Sequence, residues 1–230
     1  MTSESRFPVF LDADVLASPL TRTLLIAVAV EPGSPFTFRW CPSVEAEAER
    51  ALRPGQSGVR RLRERFDWGD TVLAPDADED TMGRLDDTSK TDKHVLGAAW
   101  AAGVRVLVSR NVRDFGRGDL RLCGVSAAHP DRFLASVAAP DLYRGALELM
   151  ASTRSRSPNT PEELHAALGA GHPLLFEAMR GVYPGVEASP PASQPPSEVF
   201  RGDRCLVCGK TLRDPESLTL GVGPECRRQR

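Results

Sequence analysis

The chain has 230 residues, of which 41% are hydrophobic and 26% charged, enough for one well-cored domain and a smaller unit. Its 29 Lys and Arg nearly balance its 31 Asp and Glu, which gives a formal net charge of −2. This balance excludes a protein that coats nucleic acid by overall positive charge. We expect a cytoplasmic protein without membrane spans, because the sequence has no basic and apolar leader and its apolar run 24–30 is too short for a bilayer. Five cysteines, an odd number, also argue against a secreted disulfide framework.

Strands and helices are predicted to alternate through residues 1–137. Apolar runs that end at turns indicate strands, and stretches with capping residues or helical periodicity indicate helices. In chain order these are a strand over 8–12, a helix over 18–30, a strand over 36–40, helices over 43–52 and 59–66, a strand over 71–74, a helix over 91–102, and strands over 105–109 and 124–126. Alternation of this kind is typical of an α/β fold with a parallel sheet between helical layers.

From residue 130 onward the pattern becomes helical and then changes to a linker. Helices that begin with proline are predicted over 130–137, 140–153, 161–168 and 173–182. The Pro- and Ser-rich segment 187–197 cannot pack a core. We therefore predict four units: a first domain over 1–137, a helical extension over 138–185, a linker over 186–200 and a small module over 201–230. The linker is expected to leave the module mobile relative to the first domain.

Acidic residues stand where predicted strands end and where a predicted helix begins. Asp12 ends the first strand, and Asp114 lies just past the strand over 105–109. Because the carboxyl ends of parallel strands meet at one edge of a sheet, these two acids are expected at the same edge. Asp92 lies in the first turn of the helix over 91–102, where an acid by itself would only compensate the helix dipole.

Glu47 lies within the apolar face of the helix over 43–52, three residues after Val44 and four before Ala51. Its neighbours Glu45 and Glu49 flank this face and are expected in solvent. An acid inside an apolar stripe needs a partner, and several carboxylates in one cleft repel one another. A hard divalent cation such as Mg²⁺ or Mn²⁺ compensates such a cluster. The pattern therefore predicts a metal-dependent enzyme that acts on phosphate esters.

Three stretches of sequence resemble PIN-domain ribonucleases of the kind that act as VapC toxins. They are VFLDADVL, the spacing Trp40…Val44…Glu47, and DKHVLGAAWAAGVRVLVSRNVRDFG with the following HPDRFL, which together cover about residues 7–137. The stretch PNTPEEL over 158–164 resembles a C-terminal extension of one VapC-like subgroup. The resemblance implies a three-layer α/β/α sandwich with a parallel central sheet, and cleavage of RNA with Mg²⁺ or Mn²⁺.

The resemblance also implies roles for individual residues. The acidic quartet that binds Mg²⁺ or Mn²⁺ and carries catalysis consists of Asp12, Glu47, Asp92 and Asp114. Asp14 stands where the family more often has Asn, and Ser109 matches a Thr or Ser that hydrogen-bonds within the site. Asn111 stands where many relatives carry an acid, with Asp114 supplying that charge.

Basic residues near these acids are candidates for holding RNA. Arg110 and Arg113 flank Asp114 and are predicted to bind phosphate. The arginine run within 60–65 is interpreted as a solvated face or as a contact with an antitoxin. His94 is interpreted as a packing residue, since the sequence offers it no partner. The predicted partners are thus an RNA substrate and an antitoxin protein, with a homodimer left open.

The last residues contain a C-x₂-C-G knuckle and a second cysteine segment, GVGPEC. They resemble a small bacterial zinc-binding module of the form CxxCG…GxGPxC, and a segment too short for a core needs such a staple. We predict that Zn²⁺ is bound by Cys205, Cys208 and Cys226. The fourth ligand is left open among Asp203, Asp214, Ser217 and Glu225, and the alternative is a reduced, disordered tail. Cys41 and Cys123 are predicted to be buried thiols.

The leading functional prediction is a metal-dependent endoribonuclease that serves as the toxin of a type II toxin–antitoxin system. One alternative is a housekeeping nuclease of the same fold. Another is a catalytically inactive PIN protein that binds RNA or a partner through its zinc tail.

Overall fold

A computed structural model describes residues 6–53, 55–56, 58–65, 72–190 and 198–228. Five described strands form one sheet in the order β2-β1-β3-β4-β5. They are β1 (Phe7–Leu11), β2 (Phe36–Arg39), β3 (Val106–Val108), β4 (Ser126–Ala128) and β5 (Phe200–Arg201). The first four strands are parallel to one another, and β5 runs antiparallel to β4. The predicted α/β fold is confirmed, with a sheet that is mostly rather than wholly parallel.

The central strands are apolar along their whole length. Val106–Val108 is completely buried, and the last three residues of Phe7–Leu11 are also buried. Strands covered on both faces read as continuous apolar runs rather than as alternating patterns, which is why the sequence reveals them. Each of these strands ends at a loop that carries polar residues, so the carboxyl edge of the sheet is polar.

Thirteen α-helices surround the sheet in the described part of the chain, and eight of them begin with proline, whose missing N–H costs nothing in the first turn. They are α1 (Ala13–Leu16), α2 (Pro19–Val30), α3 (Pro42–Ala51), α4 (Val59–Arg65), α5 (Glu79–Gly83), α6 (Lys93–Ala101), α7 (Arg117–Cys123), α8 (Pro130–Val137), α9 (Pro140–Ser152), α10 (Pro161–Gly169), α11 (Pro173–Ala178), α12 (Pro215–Leu220) and α13 (Pro224–Arg228). A 3-10 helix covers Val112–Asp114. None of the helices in these described ranges has the length and apolar composition that a bilayer crossing requires.

The helical extension packs on the first domain. Helix α9 lies against α2, and α11 lies against α8. Asp131 of α8 is buried, and its carboxylate accepts hydrogen bonds from the backbone N–H groups of Leu174 and Leu175 at 3.1 and 2.8 Å. A buried acid thus caps the first turn of α11 and fixes the extension beside the carboxyl edge of the sheet.

Some predicted elements differ from those observed. In the predicted strand 71–74, only Leu73 pairs, in a parallel bridge with Trp40, and residue 71 lies outside the described residues. The predicted end of the fourth helix at residue 66 also lies outside them. Strand β4 begins at Ser126 rather than at Gly124, because Gly124 has a φ of +67° and ends α7. The sequence did not predict helices α1, α5, α7, α12 and α13.

The C-terminal module is docked on the sheet. Its strand β5 extends the edge beyond β4, and the N–H of His129 donates to the carbonyl oxygen of Val199 at 2.9 Å. The guanidinium of Arg201 donates to the carbonyl oxygens of Arg113 and Phe115 at 2.9 and 3.1 Å. The expectation of a mobile module is therefore wrong, because β4 offers an open edge whose backbone groups pair with β5. The linker residues 191–197 lie outside the described residues, and the predicted domain boundaries stay a prediction.

Side chains and a close backbone approach complete this docking. Arg105, next to β3, donates to the carbonyl oxygen of Val207 at 2.9 Å. The hydroxyl of Ser126 lies 3.2 Å from both the N–H and the carbonyl oxygen of Arg204. Gly202 has a φ of +146°, and a Cβ atom there would lie 2.3 Å from Oγ of Ser126. Only glycine allows the module to approach β4 this closely.

Candidate functional site

Asp12 lies at the end of β1 with only 6% of its surface exposed. Its Oδ1 accepts a hydrogen bond from the N–H of Ala13 at 2.7 Å, so it caps α1. Burial, followed by the negative charge of Asp14 and more weakly that of Asp92, raises the pKa of Asp12 to about 8, against hydrogen bonds from Ser109 and Ala13 that lower it. Ionised Asp12 is therefore costly unless a cation compensates its charge.

Asp14 joins the loop after β1 to the loop after β3. Its carboxylate accepts from the backbone N–H of Arg110 at 3.0 Å, and its Oδ2 lies 3.5 Å from the hydroxyl of Ser109. The same hydroxyl accepts from the N–H of Asn111 at 3.0 Å. Burial raises the pKa of Asp14 to about 6, although the N–H and charge of Arg110 lower it. The three predicted supporting residues, Asp14, Ser109 and Asn111, thus belong to one hydrogen-bonded group.

Asp92 and Asp114 lie in two loops that Ser89 connects. Asp92 is the residue before α6, and its Oδ2 accepts from the hydroxyls of Ser89 and Thr91 at 2.5 and 2.8 Å. Asp114 ends the 3-10 helix and is half-buried, and its carbonyl oxygen accepts from the N–H of Ser89 at 2.9 Å. The loops that carry Asp92 and Asp114 are therefore held together by the backbone and the side chain of Ser89.

Two of the glutamates of α3, Glu45 and Glu47, are exposed and buried in the reverse of the expected order. Glu45 is 4% exposed, and its Oε2 accepts from Nε1 of Trp40 at 3.0 Å and from Nε of Arg63 at 3.1 Å. The side chain of Glu47 is 48% exposed. Burial by itself would raise the pKa of Glu45, but the hydrogen bonds from Trp40 and Arg63 outweigh it and lower the pKa. The prediction that Glu45 is solvated and Glu47 lies in the apolar stripe is wrong, because the arginines of α4 cover Glu45.

Glu47 instead faces the loop of Asp92 through His94. Its Oε2 lies 3.4 Å from Nε2 of His94, whose Nδ1 lies 2.8 Å from the carbonyl oxygen of Thr91. That carbonyl accepts only, so Nδ1 carries the proton that makes this hydrogen bond. His94 is a polar link between α3 and the start of α6 rather than the packing residue that we expected.

The predicted acids are therefore neighbours without forming a compact cage. Asp14 and Asp92 both act by charge on Asp12. Glu47 reaches this group through His94, and Asp114 reaches it through Ser89. Among the described residues, no three Asp, Glu or His side chains bring their ligand atoms within 4.8 Å of one another. The side-chain donors of the four predicted acids are all carboxylate oxygens, the donor type that a hard divalent cation prefers, although they are not gathered around one point in this arrangement.

The predicted phosphate-binding arginines are exposed beside these acids. In the described part of the chain, the guanidinium groups of Arg110 and Arg113 form no ion pair. Arg60 and Arg63 behave differently, since both hold Glu45, at 3.5 and 3.1 Å. Of the predicted basic groups, the pair beside Asp114 is therefore free to hold a ligand, whereas two members of the 60–65 run have a structural role.

The three C-terminal cysteines come together as predicted. The Sγ atoms of Cys205, Cys208 and Cys226 lie within 4.8 Å of one another, which is close enough to hold a metal ion. The N–H of Gly223 points at Sγ of Cys205 at 3.5 Å. Burial by itself would raise the pKa of Cys205, but backbone N–H groups of Cys208, Gly223 and Val207 outweigh it and lower the pKa. A thiolate at Cys205 is thus favoured, as metal binding requires.

No fourth Cys, His, Asp or Glu in the described residues joins this cluster. Asp203 lies 3.8 Å from Arg121, and Glu225 lies 2.9 Å from Lys210. Asp214 caps α12 through the N–H of Ser217 at 2.8 Å. These contacts give each of the three predicted acids another role, and the hydroxyl of Ser217 accepts from Nη1 of Arg227 at 3.2 Å. Of the remaining two thiols, Cys41 is buried as expected and Cys123 is half-buried.

A cavity of about 770 Å³ beside Asp14 contains two histidines that sequence reasoning missed. His129 follows β4, and its Nδ1 accepts from the N–H of Asp131 at 3.3 Å. His172 precedes α11, and its Nε2 lies 3.0 Å from Oγ1 of Thr21. Both stand directly before a proline that begins a helix. That His-Pro pair was the available signal, but only the packing of the extension brings the two rings to one cavity.

Residues 196–230 match a family of unknown function, DUF6011. The matched segment contains all three clustered cysteines and strand β5. No curated protein and no solved structure matches the chain.

Proposed function

We propose that this chain is a metal-dependent endoribonuclease with a PIN-like three-layer sandwich, and that it is the toxin of a type II toxin–antitoxin pair. The observation that carries the proposal is the burial of Asp12 beside Asp14 and Asp92 at the carboxyl edge of a parallel sheet. A buried carboxyl group with a raised pKa and acidic neighbours costs stability when it is ionised. A bound divalent cation would offset this cost, which is why such an arrangement favours a metal site.

The acids that would hold Mg²⁺ or Mn²⁺ are Asp12, Glu47, Asp92 and Asp114. Bound there, the cation supplies a Lewis acid for the phosphate and lowers the pKa of a water. The protein's own residues orient the reactants. Arg110 and Arg113 hold the phosphate of the RNA beside Asp114, and His94 keeps Glu47 directed at the loop of Asp92.

The cysteine module has a structural role in this proposal. Zn²⁺ held by Cys205, Cys208 and Cys226 would staple a segment that is too small for its own core. The stapled segment covers the edge of β4, and its Arg201 binds the backbone on either side of Asp114. Zinc then supports the position of one active-site acid from outside the site.

Expression of wild type and Asp12→Asn tests the proposal. We expect growth arrest and new RNA ends with wild type only, because Asn cannot supply the charge that holds the cation. Asp78→Asn is the matched control, since Asp78 is an exposed acid that caps α5 through Thr81. Purified wild type should cut RNA with Mg²⁺ or Mn²⁺ and stop when the cation is withdrawn.

Undiminished cleavage by purified Asp12→Asn would contradict the metal site. A wild-type protein that cuts no RNA would favour the inactive alternative, in which the chain only binds RNA or a partner. A small antitoxin gene next to this one, whose product suppresses the growth arrest, would favour the toxin over a housekeeping nuclease.

A further inference from the structure

The cavity beside Asp14 lies where the carboxyl ends of three strands meet the helical extension. Asp14 follows β1, Arg110 follows β3 and His129 follows β4, and all three line it. The end of α10 and His172, directly before α11, form the opposite wall. Ligands of open α/β sheets bind at this edge. A cavity of about 770 Å³ is large enough for a nucleotide.

One side of the cavity offers a positive charge next to the acidic site. The guanidinium of Arg110 makes no hydrogen bond or ion pair to a described residue. Its charge nevertheless acts on the carboxyl group of Asp14, whose pKa it lowers. A phosphate that bridges from the acidic site toward the cavity would meet this arginine first.

The other side of the cavity is lined by His172, whose ring has one nitrogen without a hydrogen-bond partner in the described part of the chain. His172 is 4% exposed, and Nε2 has Thr21 as its partner. Its Nδ1 is buried without a hydrogen-bond partner in the described part of the chain. A buried polar atom without a partner costs free energy. A polar ligand atom in the cavity relieves that cost once the ring turns Nδ1 toward it.

The two imidazole rings of the cavity are uncharged near neutral pH. Burial and the charge of Arg110 lower the pKa of His129 to about 4. Burial, with smaller contributions from His129 and Arg110, lowers the pKa of His172 to about 4. Neutral imidazoles donate and accept hydrogen bonds but do not attract a second phosphate. The deep part of the cavity therefore suits an uncharged ring with polar edges.

We propose that this cavity binds one unpaired nucleobase of the RNA, adjacent to the phosphodiester that lies at the acidic site. The inference rests on the proposed function and adds the part of the substrate that the site reads. Pro130 and Pro173 supply apolar surface for the ring, and Arg110 holds the attached phosphate. Such a cavity gives the enzyme a preference for unpaired RNA, because a paired base cannot enter it.

A nuclear magnetic resonance titration of ¹⁵N-histidine-labelled full-length protein tests the binding. The probes are the four ribonucleoside 5′-monophosphates, with ribose 5-phosphate as the ligand that lacks a base. We expect the ring signals of His129 and His172 to shift with at least one nucleotide and not with ribose 5-phosphate. His165 is the internal control, since its ring lies away from the cavity, on Tyr143 and Phe176.

Two variants separate a base site from a general effect on the fold. Gly171→Leu fills the cavity, since a Cβ at Gly171 has no atom within 4 Å. The matched control is Gly181→Leu, which has the same open surroundings but does not line the cavity. His172→Gln removes the ring while keeping a polar side chain. We expect both cavity variants to bind nucleotide at least about tenfold more weakly, the size of one or two lost hydrogen bonds, and the control to bind as wild type does.

Cleavage of a randomised single-stranded RNA gives an independent readout. We expect wild type to prefer one base at a fixed position beside the cut, and Gly171→Leu to lose that preference. Nucleotide binding that is unchanged in Gly171→Leu, or an equal response to ribose 5-phosphate, would overturn the base site. Nucleotide binding without any RNA cleavage would support the base site and refute the nuclease proposal. RNA cleavage without nucleotide binding in the cavity would support the nuclease proposal and refute the base site.

Discussion

The pKa values of two buried aspartates, Asp12 and Asp119, are shifted in opposite directions because their surroundings differ. Asp12 has acidic neighbours, and burial first and Asp14 second raise its pKa from 3.8 to about 8. Asp119 accepts hydrogen bonds from the backbone N–H groups of Asp86, Asp87 and Thr88 at 3.1, 2.9 and 2.7 Å. Burial alone would raise the pKa of Asp119, but these bonds outweigh it and lower the pKa. One carboxylate is destabilising when ionised and the other stabilising.

The first prediction concerns the stability of wild type and Asp12→Asn as pH changes. The folded state binds the Asp12 proton more tightly than the unfolded state, so this stabilisation is complete below pH 3.8 and is lost as pH rises through about 8. Without Mg²⁺ or Mn²⁺, the free energy of unfolding of wild type should fall between about pH 5 and pH 8. Asp12→Asn should lack much of this fall and be more stable at pH 8 by about 2–4 kcal/mol.

Urea unfolding followed by tryptophan fluorescence measures this effect. Mn²⁺ should stabilise wild type at pH 8 and leave Asp12→Asn unchanged. The control Asp119→Asn should be about 1–3 kcal/mol less stable, because an amide cannot accept all three backbone N–H groups. A wild type that is insensitive to both pH and Mn²⁺ would contradict the assignment of Asp12.

A second prediction separates the roles of Glu45 and Glu47 in α3. Glu45→Gln should cost about 2 kcal/mol, because it removes the charge of Glu45 from its contact with the partly buried guanidinium of Arg63. Glu47→Gln should change stability by less than about 0.5 kcal/mol, as exposed substitutions usually do, and should abolish cleavage. Paired urea titrations and cleavage assays of these isosteric variants measure both effects. The reverse pattern would mean that Glu45 belongs to the metal site.

At the scale of elements, the contact between β4 and β5 decides the position of the C-terminal module. The third prediction is that Gly202→Val opens this contact. A Cβ at Gly202 would lie 2.3 Å from Oγ and 2.6 Å from Cβ of Ser126, and the φ of +146° suits only glycine. The backbone N–H groups of 126–129 should then exchange with deuterium much faster, by about tenfold or more.

Hydrogen–deuterium exchange with mass spectrometry measures this opening. Gly103→Ala is the control, since Gly103 also has a positive φ but open surroundings. It should leave the exchange of 126–129 unchanged. Protection of this segment in Gly202→Val equal to that of wild type would show that β5 does not depend on the close approach.

At the scale of the whole molecule, the cysteine cluster and the sheet stabilise each other. The fourth prediction is that wild type purified under reducing conditions contains about one Zn²⁺ per chain, and that Cys208→Ser loses it. Because the module is docked through β5 and through Arg105, the loss should also lower the melting temperature of the whole protein, by about 3–6 °C.

Elemental analysis and thermal unfolding measure the two effects, with Cys123→Ala as the control that keeps its zinc. A reduced wild type without zinc would refute the metal cluster. A zinc-free Cys208→Ser with an unchanged melting temperature would mean that the module folds independently of the sheet. A chain that ends at residue 190 should likewise be less stable, since it exposes the edge of β4 and removes the bonds of Arg201.

The sequence determined most strands, the longer helices and the positions of most polar loops. Continuous apolar runs identified β1 and β3, because a strand that is covered on both faces has no polar side, and alternation identified β2. Prolines identified where α8, α9, α10 and α11 begin, because the first turn tolerates a missing N–H. The C-x₂-C-G knuckle identified the cysteine cluster, because the spacing itself places two thiols on one turn.

Only the tertiary structure decided which acid of α3 is buried, where the module lies and what the extension encloses. Helical periodicity placed Glu47 in the apolar face of α3, whereas hydrogen bonds from the arginines of α4 hold Glu45 in the buried position. The docking of β5 depends on an open edge of β4, which the composition of the linker does not reveal. The cavity joins Asp14 to His172, residues far apart in the chain, and its polarity depends on how deeply each ring is buried. Local sequence sets backbone preferences, whereas burial and charge at a site are set by neighbours from distant segments.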